Sequence, residues 1–127
     1  ELYGNTIHLD EIETANSTAK ILVDRGCDFV ICLSHIGYHY DNNKICDLDL
    51  AKKTCNIDLI LGGHTHTFLN EPKALINSVN EAVLVNQVGW AGLVLGKLDF
   101  FFEKSSKRKW NKNMALCLNK NCAKKII

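Results

Sequence analysis

The chain has 127 residues, 46% of them hydrophobic and 23% charged, a composition that suits one globular domain and excludes a disordered polar tract. No run of 18 apolar residues is present, so no membrane-spanning helix is expected. The net charge of +1 hides an uneven split: residues 1–103 hold 14 acids and 7 bases, whereas residues 104–127 hold 8 bases and no acid.

The opening residues, Glu1-Leu2-Tyr3-Gly4-Asn5, lack the basic start and apolar core of a signal peptide. With no initiator Met either, the chain is expected to be an excised or truncated piece. Asp10 with Glu13 reads as the start of a helix resembling a capping box. Ile12, Ala15, Ala19, Leu22 and Val23 then recur near a 3.6-residue period, and Gly26 is suited to end the helix in a left-handed turn. Phe29 to Leu33 is a continuous apolar run, the pattern of a strand covered on both faces. A polar loop from Ser34 to Lys44 follows. Leu48, Leu50 and Ala51 suggest a short helix reaching Asn56, with Asp47 and Asp49 as helix-start charges rather than ligands.

Ile57 to Leu61 is a second buried-type strand, closed by Gly62-Gly63. Pro72, the only proline, sits in a loop. Ala82 to Val88 and Leu93 to Phe102 read as two further strands around Gly89-Trp90-Ala91-Gly92, and Trp110 to Leu118 as a segment that pairs back in a hairpin. The order helix, strand, loop, helix, strand predicts an α/β layer. Six cysteines without a C-x-x-C pair argue against a zinc ribbon or a disulfide framework. Cys27 and Cys32 read as small apolar residues, and Cys46 and Cys55 as helical. The basic segment 104–127 reads as a solvated end or hairpin extension; nucleic acid is not expected as a partner, for no RNA-binding motif accompanies it.

Both buried-type strands end in histidine. Ser34-His35-Ile36-Gly37 follows the first, and Gly62-Gly63-His64-Thr65-His66-Thr67 the second. Open α/β sheets bind ligands beyond the carboxyl ends of their strands, and imidazole is a leading ligand for zinc, iron and similar metals. A bare His-x-His is more often a surface or hydrogen-bonded pair. Its occurrence with His35, 29 residues before His64 and at the same kind of strand end, favours metal binding. Weaker candidates are Tyr38 and His39 as substrate contacts, Asn86 and Gln87 as supports from a strand end or plain core-edge residues, and Trp90 as a substrate stacker or a packed loop anchor.

These motifs, with Tyr40-Asp41-Asn42, Ile57-Asp58-Leu59-Ile60-Leu61 and Val85-Asn86-Gln87-Val88-Gly89, resemble the calcineurin-like metallophosphoesterases, and within them the 5'-nucleotidase and UDP-sugar hydrolase branch. The resemblance covers residues 1–103 as the C-terminal half of a catalytic domain. It implies part of a four-layer α/β/β/α sandwich and two divalent metals, zinc or manganese. By the same resemblance His35 and His64 would bind one metal and His66 the other. The implied substrate is a nucleotide or related phosphomonoester, and the implied location is extracytoplasmic. The family's earlier motifs, Asp-x-His, Gly-Asp-x-x-x-Gly and Gly-Asn-His-[Glu/Asp], are absent from these residues. The chain therefore coordinates the metals only in part, needs the missing N-terminal half as partner, and is expected to be inactive and self-associating alone. The alternative is a non-catalytic metal-binding or interaction module that retains the histidines.

Overall fold

A computed structural model describes residues 4–100 and 102. The order is α1 (Glu11–Asp24), β1 (Ile31–Leu33), α2 (Asp47–Lys53), β2 (Leu59–Leu61), β3 (Lys73–Ile76) and β4 (Ala82–Asn86). The fold class is α/β, as the sequence predicts: one helical layer lies on one sheet, two of the four layers expected. The basic segment 104–127, the Trp110 to Leu118 hairpin and the last two cysteines lie outside the described residues. No helix among the described residues is long and apolar enough to cross a membrane.

Helix α1 begins where local chemistry says it should. The Asp10 carboxylate accepts from the Glu13 N–H at 2.7 Å, satisfying one of the orphan donors of the first turn. The helix ends at Gly26, whose φ of +91° closes a Schellman motif. The Gly26 N–H donates to Val23 C=O and the Cys27 N–H to Leu22 C=O, at 2.9 and 3.1 Å. Ala19 is buried, and Ile12, Ala15, Leu22 and Val23 pack against the core around it.

The sheet order is β1-β2-β4-β3. Strands β1, β2 and β4 run parallel, and β3 closes the sheet antiparallel to β4. On the helical face Val30, Ile60, Val83 and Val85 meet Leu50, Ala51 and Ile57 in one core. Burial of this kind supplies about 25 cal/mol per Å² of apolar surface. Helix α2 has no side-chain cap at Cys46. Its first N–H groups instead reach the preceding loop, Asp47 N–H to Gly37 C=O at 2.8 Å and Leu48 N–H to Tyr38 C=O at 3.4 Å. The loop that carries His35 is thereby pinned to the helix.

Several expectations are corrected. Leu93–Phe102 is not a strand over its described residues. β4 already has β2 on one side and β3 on the other, so it has no free edge to offer. Val94 to Phe100 instead cross the face opposite the helices and roof a cleft of about 490 Å³ over Ile31, Leu59 and Leu61. Phe100 and Phe102 pack on Phe29, with ring centroids 4.7 and 5.7 Å apart. Strand β3 was not expected after Pro72. It forms because the Asn77 side chain accepts from Val79 N–H and Glu81 N–H, at 3.0 and 2.8 Å, and turns the chain into β4. Cys46 is the residue before α2 and Cys55 lies just past its C-cap, so neither is helical. The four described cysteines are free, and burial pushes the Cys32 and Cys46 thiols up.

The face opposite the helices is poorly covered: Leu33 is 81% and Ile31 49% exposed, although both belong to a run expected to be covered on both sides. In the folded chain, Gly26→Ala should cost about 1–2 kcal/mol, because an L-residue is disfavoured in the left-handed region. Denaturant unfolding of the two forms measures it. An unchanged midpoint would show that the Schellman turn does not limit α1.

Candidate metal centre

Parallel pairing sets the site. The ladder places Leu33 level with Leu61, and Leu61 level with Asn86. Two more backbone bonds extend it: Ser34 N–H to Leu61 C=O and Gly62 N–H to Asn86 C=O, both 2.9 Å. The three chains therefore leave the sheet side by side, carrying His35, His64 and Gln87 just beyond. The His35 and His64 rings stand edge to face with centroids 5.4 Å apart. Both residues are exposed, so a ring nitrogen of each could reach one shared metal ion.

The two glycines are needed for close approach. A Cβ on Gly63 would lie 2.8 Å from His35 Nδ1, and one on Gly62 would collide with Asp47 Oδ2. Beyond them the backbone is strained. His64 has φ +72° and His66 φ +53°, a region few non-glycine residues enter. The Thr65 N–H donates to Gly63 C=O at 2.9 Å, a γ-turn centred on His64 and of the rarer hand.

His66 is directed elsewhere. Its ring stacks on Trp90, with centroids 5.6 Å apart and planes 15° from parallel. Among the described residues no three His, Cys, Asp or Glu side chains gather closely enough to hold a metal ion. The chemistry of the donor set fits a shared metal ligated in part by His35 and His64, with further ligands needed, since zinc sites take four. Tyr38 is half-buried, packs against the core and donates its N–H to Thr65 Oγ1 at 2.9 Å. His39 is exposed, 3.7 Å from the Asp41 carboxylate.

Sequence reasoning set Asp47 aside as a helix-start charge, yet its side chain is fully buried. Oδ1 accepts from Ser34 Oγ at 2.5 Å, and Oδ2 has no hydrogen-bond partner among the described residues. Burial pushes the Asp47 carboxyl above the usual carboxylate range, while the Ser34 hydrogen bond and the charge of His35 pull it partly back. Asp49, by contrast, accepts from Cys46 Sγ and pairs at 3.9 Å with Lys53, as a helix-start charge does. Nothing local distinguishes the two aspartates; only the approach of β1 and Gly62 does.

A raised carboxyl pKa favours the fold fully below the unfolded value, near 3.8, and that contribution is lost as pH rises through the folded value. Asp47→Asn keeps an acceptor for Ser34 and removes the buried charge. In metal-free buffer its melting temperature relative to the parent chain should therefore rise from pH 4 to pH 7. A difference that stays constant with pH would show that Asp47 does not titrate in the folded chain.

No family model matches the chain. It is 38% identical over 96 residues to the trifunctional nucleotide phosphoesterase protein YfkN of Bacillus subtilis, covering 75% of this chain and 6% of that protein. It is 33% identical over 120 residues to a 5'-nucleotidase of Diplobatis ommata, covering 83% of this chain and 20% of that one. The solved structure of the NAD nucleotidase NadN of Haemophilus influenzae superposes with a TM-score of 0.59 at 30% identity, over 71% of this chain and 19% of that chain. The chain thus spans a fifth or less of the length of these relatives. On these likenesses of sequence and fold, the chain belongs to the 5'-nucleotidase branch of the calcineurin-like metallophosphoesterases.

Proposed function

We propose that this chain forms one wall of a two-metal centre that hydrolyses nucleotides or related phosphomonoesters. The observation that supports it most is the pair of imidazoles from two strand ends, His35 and His64, brought within 5.4 Å in a chain of this family. In this reading His35 and His64 hold one divalent metal, zinc or manganese, and His66 turns from Trp90 to hold the other. Such metals supply Lewis-acid neutralisation of a phosphoryl group and its attacking and leaving oxygens. The chain's own part is to fix the direction of the imidazoles and to keep the backbone of Gly62 and Gly63 close behind them.

The remaining ligands and the proton donor to the leaving group come from the N-terminal half of the domain. Its sheet covers the face that leaves Leu33 and Ile31 exposed. Burying a few hundred Å² there contributes several kcal/mol to joining the halves, at about 25 cal/mol per Å². Residues 1–103 are the catalytic half-domain, and the basic residues from 104 onward an extension to it. Tyr38 and His39 lie beside the first imidazole, where His39 is the more accessible to substrate. The same reading places the working protein outside the cytoplasm.

In the full-length protein, His64→Ala should lower kcat/KM on the order of a thousandfold, several kcal/mol of transition-state stabilisation, and reduce bound metal. Steady-state hydrolysis of AMP and metal analysis of the two forms check this. Wild-type kcat/KM together with wild-type metal content would remove His64 from the site. The 127-residue chain alone should fall well below the roughly 1–1000 turnovers per second of ordinary enzymes when assayed on AMP with added manganese or zinc. Turnover inside that range would mean that the chain holds a complete site of its own.

A further inference from the structure

The two left-handed histidines pose a question that the metal reading leaves open: what holds them. A single left-handed L-residue costs about 1–2 kcal/mol, and such strain persists only where the surroundings over-determine it. Here the surroundings converge on one side chain. Gln87 is the first residue beyond β4 and is 2% exposed. Its Nε2 donates to Gly63 C=O at 2.5 Å. Its Oε1 accepts from the Thr67 N–H, and also from Thr65 Oγ1 at 3.1 Å. Gly63 and Thr67 bracket the segment His64-Thr65-His66, so one amide grips both ends of the strained turn.

The network leaves this amide a single orientation. The Thr67 N–H requires an acceptor and the Gly63 C=O a donor, so the oxygen of Gln87 faces Thr67 and its nitrogen faces Gly63. Thr65 carries the grip further. Its hydroxyl donates to Gln87 and accepts from the Tyr38 N–H at 2.9 Å, which couples the loop of His64 to the loop of His35. No bond in this network involves an imidazole, so the backbone is set independently of what the rings bind.

We propose that Gln87 is the positioning residue of the centre: it holds the His64–His66 turn in its left-handed conformation and, through Thr65, sets the spacing of His64 from His35. For metal affinity this rests on the reading above; for the backbone it does not. Groups that orient metal ligands from behind typically change affinity 10–100-fold when removed.

The test uses Gln87→Leu, which removes both the donor and the acceptor, and Gln87→Glu, which keeps an acceptor for Thr67 and cannot donate to Gly63 when ionised. Amide hydrogen exchange is followed in the full chain without metal, and zinc binding is followed by calorimetry in the full-length protein. In Gln87→Leu the Thr67 amide should exchange about tenfold faster, the equivalent of one lost hydrogen bond. The amides of Ile60 and Val85 in the core should be unchanged. In Gln87→Glu the Thr67 amide should stay protected while zinc affinity falls about 10–100-fold. An unchanged Thr67 amide in Gln87→Leu overturns the proposal. Equal acceleration at Ile60 and Val85 overturns it too, since Gln87 would then be stabilising the core as a whole. If Gln87→Leu does not fold, Gln87→Met, close in size to glutamine, repeats the exchange test, and failure of both to fold assigns Gln87 to the core and overturns the proposal. If the wild-type protein binds no zinc or manganese, the metal reading fails, and the exchange result still decides the role of Gln87.

Discussion

The parallel register that sets Leu33, Leu61 and Asn86 level is the constraint on which the site depends. In a parallel ladder the strands end on the same side, so whatever follows each strand is delivered to one edge of the sheet. Ser34-His35, Gly62-Gly63-His64 and Gln87 are far apart in sequence and become neighbours for this reason alone. A one-residue slip would turn Cys32 and Ile60 away from the helices, so the hydrophobic core that fixes the register also fixes the spacing of the histidines. Fold stability and site geometry are thus parts of one packing problem.

At that edge the usual preferences of a stable protein are relaxed. Two histidines occupy left-handed backbone, two glycines stand where any side chain would collide, and a buried carboxylate oxygen has no partner among the described residues. Each is unfavourable taken singly. The adjacent core, with Ile60, Val83 and Val85 fully buried, contributes the stability that offsets them. Such local conflicts gather where function competes with folding, and here they lie within a few residues of the imidazole pair.

The two faces of the sheet differ in the same sense. One is sealed by α1 and α2, while the other exposes Leu33 and Ile31 and, among the described residues, carries the Val94 to Phe100 segment and Phe102. A parallel sheet is stable when both faces are covered. The chain matches a fifth or less of its relatives' length, and under the proposed function the second cover is the N-terminal half of the domain. That half would complete the core and the metal centre together, since both open toward it.

What the amino-acid sequence determined by itself is what short-range chemistry controls. Asp10 and Glu13 set where α1 begins, and Gly26 where it ends. The apolar runs Phe29 to Leu33 and Ile57 to Leu61 contain the two strands that carry the histidines, and the residues after each run identified the family. Tertiary structure alone decided the strand order, which gave both edges of β4 to β2 and β3 and left the described residues of Leu93 to Phe102 without a place in the ladder. It also buried Asp47 while leaving Asp49 at the helix surface, and it turned Gln87 from a core-edge residue into the tie between Gly63 and Thr67. The reason is physical: caps and apolar runs act within a few residues, whereas the pairing of β1, β2 and β4, the Ser34–Asp47 bond and the Gln87 bonds join residues 13 to 28 positions apart, whose proximity no local pattern records.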